Sequence, residues 1–268
     1  MAAALEIQCF LLRQLQCEVS MLRRKYLQEF LIAVLAGMAL YCVNISVVAG
    51  NSTYRYAIEL WNYGREYLHV LYPFLFTAPF CWLLFFEKNG SYWKNVYNRT
   101  DLRKYIAKRI LLSIGLSAFA MLIASAGSLA FAYIIAPSGR TLDFNPIVTY
   151  DFYGEYQLAH PVMYGLLLSC WRAVLAAAYA AFAIGVTMLT RNIFVSMTSA
   201  FVYSVLENFA TAILQVPAWS ICTSFYPNRL SGNVVTIPGL LAGPFVLLLL
   251  TAVLFICYRR KGMESVMD

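Results

Sequence analysis

The chain has 268 residues, 61% of them hydrophobic and 12% charged, with a formal net charge of +7 and a mean hydropathy of +0.66. Soluble domains carry roughly 45–50% apolar and about 25% charged residues, so this chain has too few charges to cover a water-facing surface. A soluble enzyme, a disordered chain, a collagen-like repeat and a coiled coil are set aside, and an all-α integral membrane protein is left.

Residues 1–29 intersperse Leu5, Leu12, Leu15, Leu22 and Leu27 with Arg13, Arg23, Arg24 and Lys25. That mixture predicts an amphipathic helix lying along the inner interface, its bases toward anionic headgroups, or packed on the protein's own cytosolic face. The segment has no compact apolar stretch followed by a small-residue cleavage site, so the first span is expected to do the targeting. A permease-like domain of six spans over residues 30–268 follows. Crossing a ~30 Å hydrocarbon core takes about 20 apolar residues, and such runs fall near 30–49, 68–86, 110–135, 162–189, 193–214 and 239–257.

Six spans put both termini on one side. If that side is the cytoplasm, its segments hold Arg13, Arg23, Arg24, Lys25, the seven bases of 87–109, Arg191, Arg259, Arg260 and Lys261, against Arg55, Arg65, Arg140 and Arg229 outside. The positive-inside bias therefore sets both termini inside, multi-pass in a plasma membrane, and the net charge reads as topology rather than nucleic-acid binding. The outer stretches 50–67, 136–161 and 215–238 are rich in Tyr, Trp and Pro, which suits interfacial belts and short re-entrant helices. Asn51-Ser-Thr is an outer-side glycosylation sequon. Seven cysteines without a C-x-x-C pair, and only His69 and His160, favour neither a disulfide framework nor a metal site.

The inner loop 87–109 is long for a helix connection and carries Glu87, Gly90, Trp93, Tyr97, Arg99, Asp101, Arg103 and Tyr105. Gly90 is expected to break the helix leaving the second span. Asp101 is placed to cap a helix starting at Leu102, and 92–97 to form a short amphipathic turn on the membrane surface. Positive-inside anchoring accounts for the bases. It does not account for the break, the aromatic turn and the capped restart, which suit a docking surface for another protein.

With these features the chain resembles the permease subunits of ABC-2 type transporters, whose inner loop opens on a Glu and a Gly, passes through a short coupling helix and restarts much as Arg99, Tyr105 and Lys108 do here. The link Gly185-Val-Thr-Met-Leu-Thr-Arg-Asn-Ile-Phe-Val-Ser is similar to the family's passage between spans four and five, where a Gly ends one helix and an Asn precedes the next. The resemblance implies a half-transporter that pairs with a second permease copy or paralogue, each on a cytosolic ATPase. Residues 92–100 would seat in that ATPase as the coupling helix, and spans one, two and five would line the path. Glu87, Gly90, Trp93, Tyr97, Arg99, Asp101 and Arg103 are the residues it assigns to ATPase coupling. ATP and Mg would sit on the partner, since no Gly-x-x-x-x-Gly-Lys-Ser/Thr occurs here. Small permeases of this pattern resemble bacterial exporters of antimicrobial or toxic peptides, which implies an amphipathic cargo. A vitamin-uptake substrate-binding subunit and a secondary carrier are the alternatives.

Two charges fall inside spans. Arg172 lies 18 residues before Thr190 and Glu207 lies 15 after Asn192, about 27 and 22 Å from the inner end. At similar depth on neighbouring spans they are expected to pair and clip the helices together. Snorkelling of Arg172 to the outer surface and contact with a polar substrate are the other readings. Ala173, Ala177, Ala181 and Gly185, and Ala120, Ala124, Ser128 and Ala132, form small-residue faces suited to close packing within the subunit, or to a dimer seam. An intramembrane enzyme is not expected, because no span holds a Ser–His, Ser–Lys or paired-Asp arrangement.

Overall fold

The computed structural model describes residues 2–51, 56–64, 69–90, 102–136 and 151–260, with side chains of the first helix described from residue 24 onward. These residues are helical throughout, with no strand among them. In chain order they form α1 (Ala2–Asn51), α2 (Ala57–Tyr63), α3 (Tyr72–Asn89), α4 (Leu102–Ile135), α5 (Gly154–Ala159), α6 (Pro161–Leu189), α7 (Ile193–Ile213), α8 (Ile221–Phe225) and α9 (Ile237–Arg260). Two 3₁₀ turns, Pro217–Trp219 and Pro227–Arg229, flank α8.

Among the described residues, five stretches are long and apolar enough to cross a membrane: Arg24–Gly50, Arg103–Ile135, Pro161–Leu189, Ile193–Ile213 and Ile237–Arg260. Each covers a run expected from the sequence. The remaining run, 68–86, corresponds to α3, which starts at Tyr72 and ends its last turn on Glu87, Lys88 and Asn89. About 22 Å of apolar helix is left between them, less than a ~30 Å core. What α3 lacks in length it has in enclosure. It packs against α1, α4, α6 and α7, with Phe76, Phe80, Cys81 and Leu84 buried.

The hub is α6, which packs against α3, α4, α7 and α9. Its Ala176, Ala180 and Ala183 are buried, as are Ala120, Ala124, Ser128 and Ala132 of α4, so the α4 small-residue face is spent on packing within the chain. Hydroxyls finish these seams. Ser117 Oγ donates to the Phe76 carbonyl at 2.6 Å, the Ser125 and Ser169 hydroxyls meet at 2.8 Å, and Trp61 Nε1 donates to Ser128 Oγ at 3.3 Å. Bonds of this kind between spans contribute about 0.6 kcal/mol each.

Two local features differ from the sequence expectation, and a third agrees with it. First, α1 is one continuous 50-residue helix, about 75 Å long, with no break at the expected boundary between residues 29 and 30. No glycine or proline precedes Gly37 to interrupt it. The facing of Leu5, Leu12 and the other side chains before residue 24 lies outside the described residues. Second, α6 runs through Gly185 to Leu189 instead of ending at the glycine. A Cβ there would meet Leu254 Cβ at 3.2 Å, so Gly185 lets α9 approach. Third, the α6–α7 break falls on Thr190–Asn192. Asn192 Oδ1 accepts from the N–H groups of Phe194 at 2.9 Å and Val195 at 3.4 Å, capping α7.

The short helices α2 and α8 tuck in between the long helices. Ile58, Leu60 and Trp61 of α2 and Ile221, Cys222 and Phe225 of α8 are buried. Gly243 of α9 makes this possible. A Cβ on it would lie 2.6 Å from Ile221 N and 2.8 Å from the Trp219 carbonyl oxygen, backbone atoms that cannot swing aside.

Candidate functional site

The C-terminal end of α3 gathers the first of two polar constellations. The helix closes at Gly90, whose N–H bonds the Phe86 carbonyl at 3.0 Å and whose backbone is extended at φ −84°, ψ 167°. Glu87 and Lys88, two positions and one position before the last helical residue, point about 100° apart because the helix has 3.6 residues per turn. They therefore engage different neighbours.

Glu87 turns toward α4 and α1. Arg109 Nε of α4 lies 3.8 Å from Glu87 Oε2, with only 15% and 6% of the two side chains exposed. The same Nε donates to Tyr105 Oη at 2.8 Å. Arg109 Cζ sits 5.0 Å from the ring centre of Tyr26 of α1 and 5.1 Å from that of Tyr105. One guanidinium thus joins three helices in a site with little water, where charge pairs and cation–π contacts are stronger than at a surface.

Lys88 turns the other way. Its Nζ donates to the carbonyls of Met188 at 2.8 Å, Thr190 at 2.9 Å and Thr187 at 3.1 Å. These belong to the C-terminal end of α6, where carbonyls lack helical partners and the helix dipole is negative. Beside them the Thr187 and Ser196 hydroxyls hydrogen bond, joining α6 to α7. Whatever moves the end of α3 acts on α1 and α4 through Glu87 and on the α6–α7 junction through Lys88.

Of the loop residues singled out in the sequence, Glu87 and Gly90 belong to this junction. Arg103 does not: it is exposed on the first turn of α4 and faces a cleft toward Arg259. Trp93, Tyr97, Arg99, Asp101 and the expected short coupling helix lie outside the described residues.

The second constellation lies in the N-terminal half of α6. Arg172 of α6 is completely buried. Its Nε donates to the Phe225 carbonyl at 3.0 Å, and its Cζ lies 4.7 Å from the Trp61 ring centre and 5.0 Å from that of Phe225. Nη1 and Nη2 reach no hydrogen-bond acceptor among the described residues. The aromatic column continues inward, with Phe225 stacked on Tyr72 at 3.7 Å and Tyr72 edge-on to Tyr179 at 5.4 Å.

Arg172 does not pair with Glu207, and the expected clip between spans is corrected. Glu207 accepts from Ser220 Oγ at 2.9 Å and from the Ile221 N–H at 3.0 Å. The depth argument fixed heights but not angular facing. Between the two charges the chain inserts α8, whose start donates to the carboxylate and whose end accepts from Arg172 Nε. Snorkelling is set aside as well, because the guanidinium is held under α2 and α8.

Outside these lies an apolar cavity of about 480 Å³ bordered by Phe152, Tyr153, Tyr156, Leu167, Trp171 and Leu240, within the size range of small-molecule sites. Tyr153 on its rim has a left-handed backbone, φ 55°. Nearby, Asn228 Nδ2 donates to Asp151 Oδ2 at 3.0 Å and Tyr164 Oη donates to Asn228 Oδ1 at 3.4 Å. Burial, then the charge of Glu59, pushes the Asp151 carboxyl up to about 7.

Lys88, Arg109 and Tyr26 were not singled out from the sequence. A lysine directly after a long apolar run is a signal that could have flagged Lys88. Trp61 and Phe225 carry none, since α2 and α8 reach Arg172 only through the fold. Compared with protein-family models, curated proteins and solved structures, the chain matches none of them.

Proposed function

We propose that the chain is the membrane permease subunit of an ATP-driven exporter of the ABC-2 type, paired with a second permease and resting on separate cytosolic ATPase subunits. In this reading α3 is a sixth span, both termini are cytoplasmic, and the protein sits in a bacterial cytoplasmic membrane. ATP and Mg²⁺ belong to the partner, whose movement enters through residues 92–100. The observation that carries the reading is the root of that loop. Glu87 and Lys88 tie the last turn of α3 to α1, α4 and the α6–α7 junction immediately before the chain leaves at Gly90. A lever that transmits a partner's closure needs a stiff attachment to several spans, and this is one. The packing of α3 between α1 and α7 suits a path lined by those three helices. The apolar outer cavity suits an amphipathic cargo such as a peptide.

The test is purification of the tagged chain from native membranes in mild detergent, with mass spectrometry of whatever accompanies it. An equimolar ATPase bearing a Gly-x-x-x-x-Gly-Lys-Ser/Thr loop, with no other membrane protein or one six-span relative, supports the proposal. An ATPase pair with one unrelated membrane subunit replaces it with the vitamin-uptake arrangement. A well-folded sample without any ATPase overturns it and leaves a secondary carrier.

A further inference from the structure

A cleft of about 310 Å³ lies between α1, α3 and α7, apart from both polar constellations. Glu29 of α1 stands at one end of its wall, and Ala36 lies about 10 Å further along the same helix. Glu29 is the one ionisable residue among the described residues of the lining. Lys25, one turn before it, does not line the cleft, and among the described residues no base comes within ion-pairing distance of the Glu29 carboxylate. The facing wall is α3, which carries Pro79 in mid-helix. Proline has no N–H, so the Leu75 carbonyl four residues earlier is without its usual helical donor. Leu75 and Pro79 both line the cleft, and Phe74 and Trp82 of the same helix line it with them. Trp82 is 42% exposed, so its ring is open to a ligand.

We infer that this cleft binds an amphipathic cation, one positive group carried on an apolar or aromatic body. The lining decides the sign. A carboxylate, a carbonyl short of its donor and two aromatic rings all favour positive charge, and none of the described lining residues is a base. The remaining wall decides the body. A bare metal ion gains nothing from Ile32, Trp82 and Met197, and the described lining holds no second carboxylate or histidine to complete its shell. A zwitterionic phospholipid brings an ammonium but also a phosphate, which finds no base to meet it. A small molecule with one cationic end satisfies both parts, and the volume lies at the lower end of small-molecule sites. The inference rests on the exporter reading only for the bound cation being cargo on a path along α1, α3 and α7. The binding itself belongs to this chain and needs no ATPase.

The test is equilibrium binding of tetraphenylphosphonium and tetraphenylborate, a cation and an anion of the same shape, to the purified full chain in phosphatidylcholine nanodiscs. Uptake by empty nanodiscs is subtracted. The expected result is saturable binding of one tetraphenylphosphonium per chain and none of tetraphenylborate. Glu29→Gln should weaken the cation about tenfold, and Trp82→Leu about fivefold. Ala36→Phe, which narrows the apolar part and leaves the carboxylate in place, should abolish binding. If Glu29→Gln fails to keep the wild-type elution profile, Trp82→Leu, on an exposed ring, still supplies the comparison. Equal binding of the two ions, or cation binding unaltered by Trp82→Leu and Ala36→Phe, overturns the inference. Displacement of the cation when phosphatidylethanolamine replaces part of the phosphatidylcholine would show a lipid headgroup site and overturns it too. All of these outcomes are read on the chain alone, so they stand apart from whether an ATPase copurifies.

Discussion

The guanidinium of Arg172 is held by a carbonyl and two ring faces, while the carboxylate of Glu207 is held by a hydroxyl and a backbone N–H. Separate partners mean separate energetics. A double-mutant cycle of Arg172→Met and Glu207→Gln, followed by denaturant unfolding in micelles, should give a coupling below about 0.5 kcal/mol. Glu207→Gln with Ser220→Ala should couple by about 0.5–3 kcal/mol. A large Arg172–Glu207 term would restore the ion pair. Asp151 gives a second prediction, in pH. Its carboxyl is raised from 3.8 to about 7 in the fold, so between those values the unfolded chain has released a proton that the folded chain retains. Stability therefore falls as pH rises through this window. Asp151→Asn should flatten the dependence between about pH 4 and pH 7, and an unchanged slope would place the titrating group elsewhere. At this scale the sequence was informative about which residues are costly to bury. It was silent on what meets them, because Trp61, Ser220 and Phe225 arrive on short outer helices whose insertion no local pattern encodes.

Elements were more legible. Apolar run lengths placed five spans on their helices, since a ~30 Å core imposes a length that composition must satisfy, although α1 and α4 begin well before their apolar runs. The same criterion gives α3 a weaker signal. Its last turn is polar because it serves the junction with α1, α4 and α6. The three bonds from Lys88 are what fix that end to α6. Lys88→Gln, able to keep at most part of them, should raise hydrogen exchange across residues 187–196 by roughly tenfold or more, equivalent to ~1.4 kcal/mol of local stability. Unaltered exchange there would mean the α6–α7 junction stands without α3. Two glycines give a paired test of the outer insertion. Gly243→Ala pushes a methyl group into the backbone at Ile221 and should destabilise by about 1–3 kcal/mol. Gly115→Ala in α4, with nothing within 4 Å of its Cβ, should be neutral or stabilise by up to ~1 kcal/mol. Equal melting temperatures for the two variants would contradict the close approach of α9 to α8.

At the scale of the whole molecule, the described helices divide their polar chemistry by depth. Ion-pair and carbonyl-bound charges lie at the C-terminal end of α3, serine hydroxyls between α3, α4 and α6 in the middle, and an aromatic-shielded guanidinium toward the opposite end. On the exporter reading, force enters at the inner end only. Replacing Trp93 and Tyr97 together with Glu should then separate ATP hydrolysis from transport in reconstituted vesicles while the melting temperature stays unaltered. Transport that stays coupled in this variant would remove the coupling role of 92–100. The inner clamp also has a history within each molecule's synthesis. Lys88 and the carbonyls it binds are 99 to 102 residues apart in the chain. At about 5–20 residues per second, the ribosome takes roughly 5–20 s to deliver one after the other. Throughout that interval α3 has left the ribosome with a lysine whose eventual acceptors do not yet exist. Its final depth is therefore set after translation of α6, and a chain truncated between α4 and α6 should be handed to membrane proteases as an unfinished product.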